Sequence, residues 1–339
     1  MSPALPSAIP GLGVARPVPV DSVRTRILEG ARLGKGPGSS ELTFAAMGTP
    51  CRVSFVAPSP EPLAHAVIQW VAAFEARYSR YLPESWISQV NAAAGAEWMP
   101  MDAEAEALMR LCGQLAYLTH GALDATALPV VQLWDWKAGR VPNDAEVEHA
   151  RSLVGWKNVQ FAPGKVRLPK PGMAIDLGGV GKEYAVDQVI LLLARMGVTS
   201  ALVDFGADIR VLGLPPDGRP AWKIGLEDPR TPGTPWTHLV VRDGAVASSG
   251  AYLRGFESGG RRYGHIVDPR TGRPSANDVL AASVMAPSCT QAGMLSTALC
   301  VLGSDAGRRL LLATPGVEGC MVLGNGFVGS ARFHEYVTT

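Results

Sequence analysis

Short runs of β-forming residues follow one another through the second half of the chain, and this feature restricts the fold most. The runs read SALVDFG, AWKIGLE, HLVVRDGAVASSG, AASVMA and GCMVLGNGFVGSA, between residues 200 and 331. Because few helical segments separate them, they predict an α+β fold rather than a regularly alternating, doubly wound sheet. In the last run, Asn325-Gly326 is a strong signal for a two-residue hairpin turn.

Three segments have the apolar spacing of amphipathic helices. The first is predicted over residues 60–80, where apolar side chains recur at steps of three and four residues. The second opens at Asp102, a good N-cap residue, and continues to Leu118. The third is predicted over residues 183–196 and ends at Gly197.

The first 40 residues differ in composition from the rest of the chain. They are rich in Pro and Gly and have no sustained apolar period, which predicts a disordered or extended N-terminal tail over residues 1–40. One domain is then predicted over residues 41–339. The N-terminus has no basic segment followed by an apolar one, so we expect a cytoplasmic location, or a periplasmic one if the true start differs.

Charge and hydropathy exclude two classes of partner. The net charge of the 339-residue chain is +1, which gives no basic surface for nucleic acid. No apolar run reaches the roughly 18 to 20 residues that a membrane span requires. The five cysteines lie in apolar stretches without a CxxC pair, so they are predicted to be reduced core thiols.

The segment AIDLGGVGKEYAVD, residues 174–187, combines a predicted strand, three glycines and the start of a helix. Glycines allow a ligand to approach the backbone closely, and a helix N-terminus offers N–H groups to a phosphate. Gly178 lies in this loop, and Lys182 could neutralise a phosphate. A tight turn without a ligand is the alternative, since neither standard nucleotide-binding motif is present.

A second polar cluster, YGHIVDPRTGRP, follows a predicted hairpin through Gly259-Gly260. His265 could move a proton near neutral pH, and Asp268 could accept a proton or meet a metal ion. A hydrogen bond that only stabilises the loop is the alternative reading of this pair.

Two other side chains are candidates for ligand contact. Tyr81 follows a helix and precedes a proline, a place where an aromatic ring can stay free for stacking, although packing of the ring is the alternative. Asp124 lies in an otherwise apolar run and therefore needs a partner, which could be only a helix N-terminus.

These segments, read in order, resemble the ApbE family over residues 42–335. The matching motifs are Met47-Gly48-Thr49, SRYLPESWISQVN, HGALDAT, IDLGGVGKEYAVD, DFGADIR, SSGAYLR, YGHIVDPRTGRP and TQAGMLSTALCVLG. The resemblance implies an α+β fold of mixed and antiparallel sheets with packed helices, with a flavin site in a cleft between two lobes.

The resemblance also implies an activity, that of an FAD:protein FMN transferase. Such an enzyme moves FMN from FAD to a threonine of an acceptor flavoprotein, releases AMP and usually requires Mg²⁺. His265 and Asp268 become the candidates for activating the acceptor or organising charge. The expected FAD-contacting residues are Met47, Tyr81, Ala122, Leu123, Asp124, Gly178, Lys182, Tyr184, Ile266 and Val267.

One departure from the family concerns the metal site. The family motif Ala-Asp-x-x-x-Thr supplies metal ligands from its Asp and Thr side chains, together with a backbone carbonyl. Here the candidates are Gly181, Gly293 and Thr297, and Gly293 has no carboxylate. We therefore expect weak Mg²⁺ binding that Gly293→Asp would strengthen.

A second departure is Glu183, where the family commonly has Gly. Its carboxylate could replace the lost charge or only interact with the helix dipole. If the metal-dependent chemistry is lost, the alternative function is a non-catalytic FAD-binding protein that acts as a carrier, sensor or assembly factor.

Overall fold

The computed structural model describes residues 13, 15–36, 38–252 and 254–338. The α-helices are α1 Val20–Gly30, α2 Pro60–Tyr78, α3 Trp86–Ala92, α4 Ala103–Leu118, α5 Leu128–Leu133, α6 Asp144–Arg151, α7 Gly181–Arg195, α8 Cys289–Leu302 and α9 Ser304–Leu312. Short 3₁₀ helices cover Ala125–Ala127, Trp156–Asn158 and Phe333–Tyr336.

The strands are short, as the runs of β-forming residues predict. They are β1 Arg32–Gly36, β2 Ser39–Ala46, β3 Thr49–Phe55, β4 Met99–Pro100, β5 Gln160–Ala162, β6 Lys165–Arg167, β7 Ala201–Phe205, β8 Asp208–Leu212, β9 Trp222–Glu227, β10 Pro235–Val241, β11 Gly244–Gly250, β12 Gly255–Ser258, β13 Arg261–Gly264, β14 Val267–Asp268, β15 Arg273–Pro274, β16 Val279–Ala286, β17 Glu318–Leu323, β18 Gly326–Gly329 and β19 Val337–Thr338.

A nine-stranded sheet organises the molecule, in the order β1-β2-β3-β7-β8-β11-β16-β17-β18. Neighbouring strands in it pair antiparallel, as do those of the smaller sheets β19-β10-β9, β4-β6-β5, β12-β13 and β14-β15. Helices and antiparallel sheets are thus combined in one fold, and the predicted α+β class is confirmed.

Helices α2, α7 and α8 carry much of the buried core beside the main sheet. In α7, Ala185, Val189 and Leu193 recur every four residues and are all inaccessible to solvent. Helix α8 packs against α7 and against strands β11 and β16. This packing places the start of α7 beside the middle of α8, where Glu183 contacts Gly293.

The three predicted helices form close to their expected limits. Helix α2 ends at Tyr78 rather than residue 80, and α7 begins two residues earlier than predicted. Asp102 is the N-cap of α4 and accepts a hydrogen bond from Ala105 N (2.9 Å).

The prediction of a tail over residues 1–40 is wrong from Val20 onward. Helix α1 packs on α2 through Val23 and Ile27, which lie four residues apart and are both buried. Strands β1 and β2 follow it directly. The Pro- and Gly-rich composition of the whole stretch hid this short apolar face; residues 1–12 lie outside the described residues.

Both predicted hairpins form, one of them with a shifted turn. Strands β12 and β13 are joined by Gly259-Gly260, whose φ angles of 58° and 73° require residues that tolerate the left-handed region. In the other hairpin Leu323 pairs with Gly326, so the two turn residues are Gly324 and Asn325 rather than Asn325 and Gly326.

The cysteines are buried, as their apolar surroundings in the sequence predict. Cys51, Cys112, Cys289, Cys300 and Cys320 are all buried and free. Among the described residues, no helix has the length and apolar character needed to cross a bilayer. The compartment stays a prediction.

Candidate functional site

The glycine loop before α7 is tied to two other parts of the chain. Asp176 Oδ1 accepts a hydrogen bond from Gly178 N (3.1 Å), and its Oδ2 lies 3.1 Å from Arg80 Nε. Asp176 N donates to Ala125 O (2.8 Å). The loop after α2, the segment after α4 and the glycine loop therefore meet at one place, although they are far apart in sequence.

Tyr81 is 77% exposed, so its ring is not part of the core. The guanidinium carbon of Arg80 lies 4.3 Å from the ring centroid, and Arg80 Nη2 donates to the Tyr81 hydroxyl (2.7 Å). Arg80 covers only part of the Tyr81 ring, and the rest remains accessible for stacking. The alternative that this ring packs into the core is therefore wrong.

The expected FAD segment at residues 122–124 lies beside the glycine loop. A Cβ built on Gly179 would be 3.7 Å from Leu123 Cδ2, and Ala122 is buried. Asp124 is the N-cap of a 3₁₀ helix, and its Oδ1 accepts a hydrogen bond from Thr126 N (2.8 Å). A helix N-terminus is thus its partner, as expected from its apolar surroundings. Its Oδ2 accepts from Trp156 N (2.8 Å), so this carboxylate holds the local backbone.

Met47 and Tyr184 are placed by helix α2. Met47 has a φ of 51° in the turn between β2 and β3, and its N–H donates to Glu75 Oε2 (3.0 Å). Tyr184 stacks on Phe74 with 5.7 Å between ring centroids. Burial raises the pKa of the Tyr184 hydroxyl, and Glu104 and Asp187 add to this effect.

Ile266 and Val267 are both buried and pack into different apolar clusters. Ile266 joins the main core, whereas Val267 joins a small cluster that includes Val130 and Trp134. Both side chains therefore serve packing, and Ile266 O accepts a hydrogen bond from Ser275 N (2.9 Å).

His265 and Asp268 have different partners. His265 Nδ1 lies 3.3 Å from Arg254 O. Because a carbonyl only accepts, Nδ1 carries the proton in this contact and Nε2 keeps a free lone pair. Burial lowers the pKa of the His265 imidazole, although the Arg254 carbonyl acts in the opposite direction.

The Asp268 carboxylate is bound by Arg270. It accepts hydrogen bonds from Arg270 N (2.9 Å), Nε (2.9 Å) and Nη2 (2.8 Å), while Asp268 O accepts from Gly272 N (2.8 Å). These bonds form the predicted turn and tie the Asp268 carboxylate to the loop that follows His265.

A charged group of three residues surrounds the start of α7. Lys182 Nζ forms an ion pair with Asp208 and lies 3.7 Å from Glu183 Oε1. Asp208 and Glu183 are only 3% and 5% exposed. Lys182 is therefore shared between two buried carboxylates.

The metal candidates lie on α7 and α8, two helices that pack against each other. Gly293 and Thr297 are one turn apart on α8, and Gly181 is the first residue of α7. The Thr297 hydroxyl lies 2.9 Å from Ser249 Oγ, which also lies 2.8 Å from Ser296 Oγ. Glu183 Oε2 is buried with no hydrogen-bond partner among the described residues. A buried carboxylate oxygen next to a hydroxyl-bearing helix face fits a hard cation such as Mg²⁺.

Several residues that position the site escaped the sequence analysis. Glu75 joins Met47 to Arg26 of α1, with 2.7 Å between Glu75 Oε1 and Arg26 Nη2. Asp187 Oδ1 accepts from Cys289 N (2.8 Å) and from Arg210 Nη1 (2.7 Å), and so caps α8. Asp187 lies inside a quoted motif, but its partners Arg210 and Cys289 are 23 and 102 residues away and give no local signal.

Comparison with known proteins identifies the family. The model of the ApbE family matches residues 47–321. An FAD:protein FMN transferase of Treponema pallidum is 34% identical over 297 residues, which cover 81% of this chain and 82% of that protein. An FAD:protein FMN transferase of Vibrio cholerae is 33% identical over 234 residues, covering 68% and 70%.

Solved structures agree with this result. The ApbE protein of Thermotoga maritima superposes with a TM-score of 0.81 at 32% identity, covering 89% of this chain and all of that one (100%). The flavin transferase ApbE of Vibrio cholerae gives a TM-score of 0.79 at 28% identity, covering 90% and 99%. The resemblance inferred from the motifs is confirmed, and this chain belongs to the ApbE family.

Proposed function

We propose that this chain is an FAD:protein FMN transferase that moves the FMN part of FAD to a threonine of an acceptor flavoprotein. In this reaction the threonine oxygen forms a bond to the phosphorus of the FMN phosphate, and the bond from that phosphorus to the bridging oxygen of the pyrophosphate breaks. AMP leaves with the bridging oxygen, and the hydroxyl proton is released.

The observation that carries the proposal is the meeting of three segments that the motifs assign to FAD. Arg80 pairs with Asp176, Asp176 N bonds to Ala125 O, and Leu123 lies against Gly179. Their meeting leaves the Tyr81 ring exposed beside a cation. An exposed aromatic ring next to a glycine loop suits a ligand that has both a flat ring system and phosphates.

His265 is the proposed base. Its Nδ1–H is held by a backbone carbonyl, which leaves Nε2 to accept the proton of the acceptor hydroxyl. Since burial lowers the pKa of this imidazole, the neutral, proton-accepting form predominates at pH 7. Asp268 and Arg270 hold the turn that follows His265.

The candidate metal ligands are the Gly181 carbonyl, the Thr297 hydroxyl and a carboxylate at the α7–α8 contact. A bound Mg²⁺ ion would supply positive charge to the pyrophosphate oxygens. Lys182 would add positive charge near the pyrophosphate while it stays paired with Asp208 and Glu183.

The test is a transfer assay with purified protein, FAD, Mg²⁺ and a bacterial flavoprotein that carries a target threonine. We expect flavin fluorescence on the denatured acceptor, an acceptor mass increased by FMN minus water, and one AMP for each acceptor modified. The acceptor with its threonine changed to valine is the control and should stay unmodified. Tight FAD binding without transfer, at every Mg²⁺ concentration and with several acceptors, would instead make the chain a non-catalytic flavin-binding protein.

A further inference from the structure

Gly293 on α8 lies directly against the side chain of Glu183 on α7. A Cβ atom built on Gly293 would be 2.3 Å from Glu183 Cγ, 3.0 Å from Cδ and 3.1 Å from Oε1. Non-bonded carbon atoms do not approach to 2.3 Å, since their optimal separation is about 3.5 to 4.0 Å. The Glu183 side chain thus occupies the space that a side chain at position 293 would fill.

The Glu183 carboxylate is incompletely paired. Oε1 lies 3.7 Å from Lys182 Nζ, and within the described part of the chain Oε2 is buried without a hydrogen-bond partner. Lys182 is also the partner of the buried Asp208. Two carboxylates and one ammonium leave a formal charge of −1, and an unpaired buried charge is strongly unfavourable.

Helix α8 carries a neutral hydroxyl one turn after Gly293, at Thr297. Position 297 is four residues after position 293 and therefore on the same face of the helix. Thr297 Oγ1 is held by Ser249 Oγ at 2.9 Å. Across the described residues, no three His, Cys, Asp or Glu side chains converge, so a cation here is bound by at most two such side chains, together with hydroxyl, carbonyl or phosphate oxygens.

We infer that Glu183 is the carboxylate ligand of the divalent cation at the α7–α8 contact, delivered from α7 to the space beside Gly293 and Thr297. Mg²⁺ is bound through one or two carboxylates plus neutral or phosphate oxygens, and Glu183 supplies the charged member of that set. The identity of the phosphate ligand rests on the proposed function, whereas cation binding can be measured without it.

Gly293→Asp should then weaken cation binding, the opposite of what the motif alone predicts. An aspartate at position 293 would collide with the Glu183 side chain and add a second negative charge to the buried group. We expect Gly293→Asp alone to bind cation less well than the wild type. The double variant Glu183→Gly/Gly293→Asp exchanges the glycine and the carboxylate between the two helices, and should recover most of the lost affinity.

The experiment is a Mn²⁺ titration of the full-length protein, followed by the EPR signal of free Mn²⁺, without and with saturating FAD. Mg²⁺-induced shifts of the thermal unfolding midpoint give a second readout. Glu183→Gln keeps the shape of the side chain and removes its charge, and we expect Mn²⁺ affinity to fall by about tenfold or more. The unfolding midpoint without metal shows that the variant is folded.

Glu61→Gln is the matched control. Glu61 is also an acidic residue in the first turn of a helix, but it is exposed. It therefore reports the loss of a helix-dipole interaction alone, and Mn²⁺ affinity should not change. Unchanged affinity in Glu183→Gln, or no Mn²⁺ binding by the wild type in either condition, overturns the inference.

Two results separate this inference from the proposed function. If Mn²⁺ binding depends on Glu183 but no acceptor receives FMN, the transferase proposal fails and the ligand assignment stands. If FMN is transferred and Glu183→Gln binds Mn²⁺ like the wild type, the ligand assignment fails and the transferase proposal stands. Failure of the double variant to bind better than Gly293→Asp also counts against the assignment.

Discussion

The Arg80 guanidinium and the Asp176 carboxylate form an ion pair, with 3.1 Å between Nε and Oδ2, that joins the loop after α2 to the glycine loop before α7. The same guanidinium lies 4.3 Å from the centroid of the Tyr81 ring. The orientation of an exposed aromatic ring is thus linked to a residue of the glycine loop, almost 100 positions later.

Tyr81→Ala should weaken FAD binding. If the ring stacks on the isoalloxazine, the loss is about 0.5 to 1.5 kcal/mol, or roughly two- to twelvefold in Kd. Tyr81→Phe keeps the ring and should bind nearly as well as the wild type. Tyr117→Ala is the control, because Tyr117 is 82% exposed on α4. Quenching of flavin fluorescence gives the Kd for FAD of all four proteins. Equal Kd values for Tyr81→Ala and the wild type would rule out stacking.

The proposed base predicts a pH dependence. Burial lowers the pKa of His265 from the ordinary value of 6.5, so the neutral form is lost only as the pH falls below that value. The single-turnover rate of FMN transfer should be flat near pH 7 and fall with a midpoint below 6.5. His265→Ala should lower the rate by about 100-fold or more. His65→Gln is the control, because His65 is exposed. If His265→Ala keeps the pH profile of the wild type, His265 is not the base.

Asp187 should contribute strongly to stability. Its carboxylate is buried and binds both Arg210 and the N-terminus of α8. Asp187→Ala leaves those partners unpaired and should lower the free energy of unfolding by about 3 to 5 kcal/mol. Asp217→Ala breaks a surface pair with Arg219 and should cost no more than about 1 kcal/mol. Urea unfolding distinguishes the two; similar losses would contradict this account.

Substitutions of buried residues in helix α1 should lower the free energy of unfolding, although this stretch was expected to be a tail. Ile27 is 1% exposed against α2, so Ile27→Ala should cost about 2 to 5 kcal/mol. Leu28, the next residue, is 45% exposed, and Leu28→Ala should change the free energy of unfolding by no more than about 0.5 kcal/mol. If Ile27→Ala is as mild as its neighbour, α1 does not pack stably on α2 in solution.

The cysteines should resist alkylation in the native protein. Burial raises the pKa of Cys51, Cys112, Cys300 and Cys320 to about 12, so very little thiolate forms at neutral pH. Mass spectrometry after iodoacetamide treatment at pH 7.5 should find these cysteines unmodified. After unfolding in urea, all of them should be modified. Rapid labelling of one of them without denaturant would place that thiol nearer the surface than the structure does.

Local patterns in the sequence were sufficient for helices α2, α4 and α7 and for the fold class. Helix α2 follows from apolar spacing, and the start of α4 follows from Asp102, whose cap bond reaches only three residues along the chain. The Asn325-Gly326 signal found the last hairpin but shifted its turn by one residue, because strand register depends on pairing along both strands.

The order of eight motifs likewise identified the family and its expected flavin site without coordinates. It could not say which side chains remain free. Tyr81 proved exposed, whereas the carboxylates of Asp124 and Asp268 proved to be bound by nearby backbone and side-chain donors. Such differences depend on what packs around each residue, and a motif does not contain that information.

The sequence by itself thus determined helices α2, α4 and α7, the α+β class and the family, because short-range spacing, capping and motif order are properties of neighbouring residues. Only the tertiary structure decided that Glu183 fills the space beside Gly293, since those residues are 110 positions apart and meet through the packing of α7 on α8. From the sequence alone, Gly293 indicates a missing carboxylate. In three dimensions, the neighbouring helix provides one at the same place.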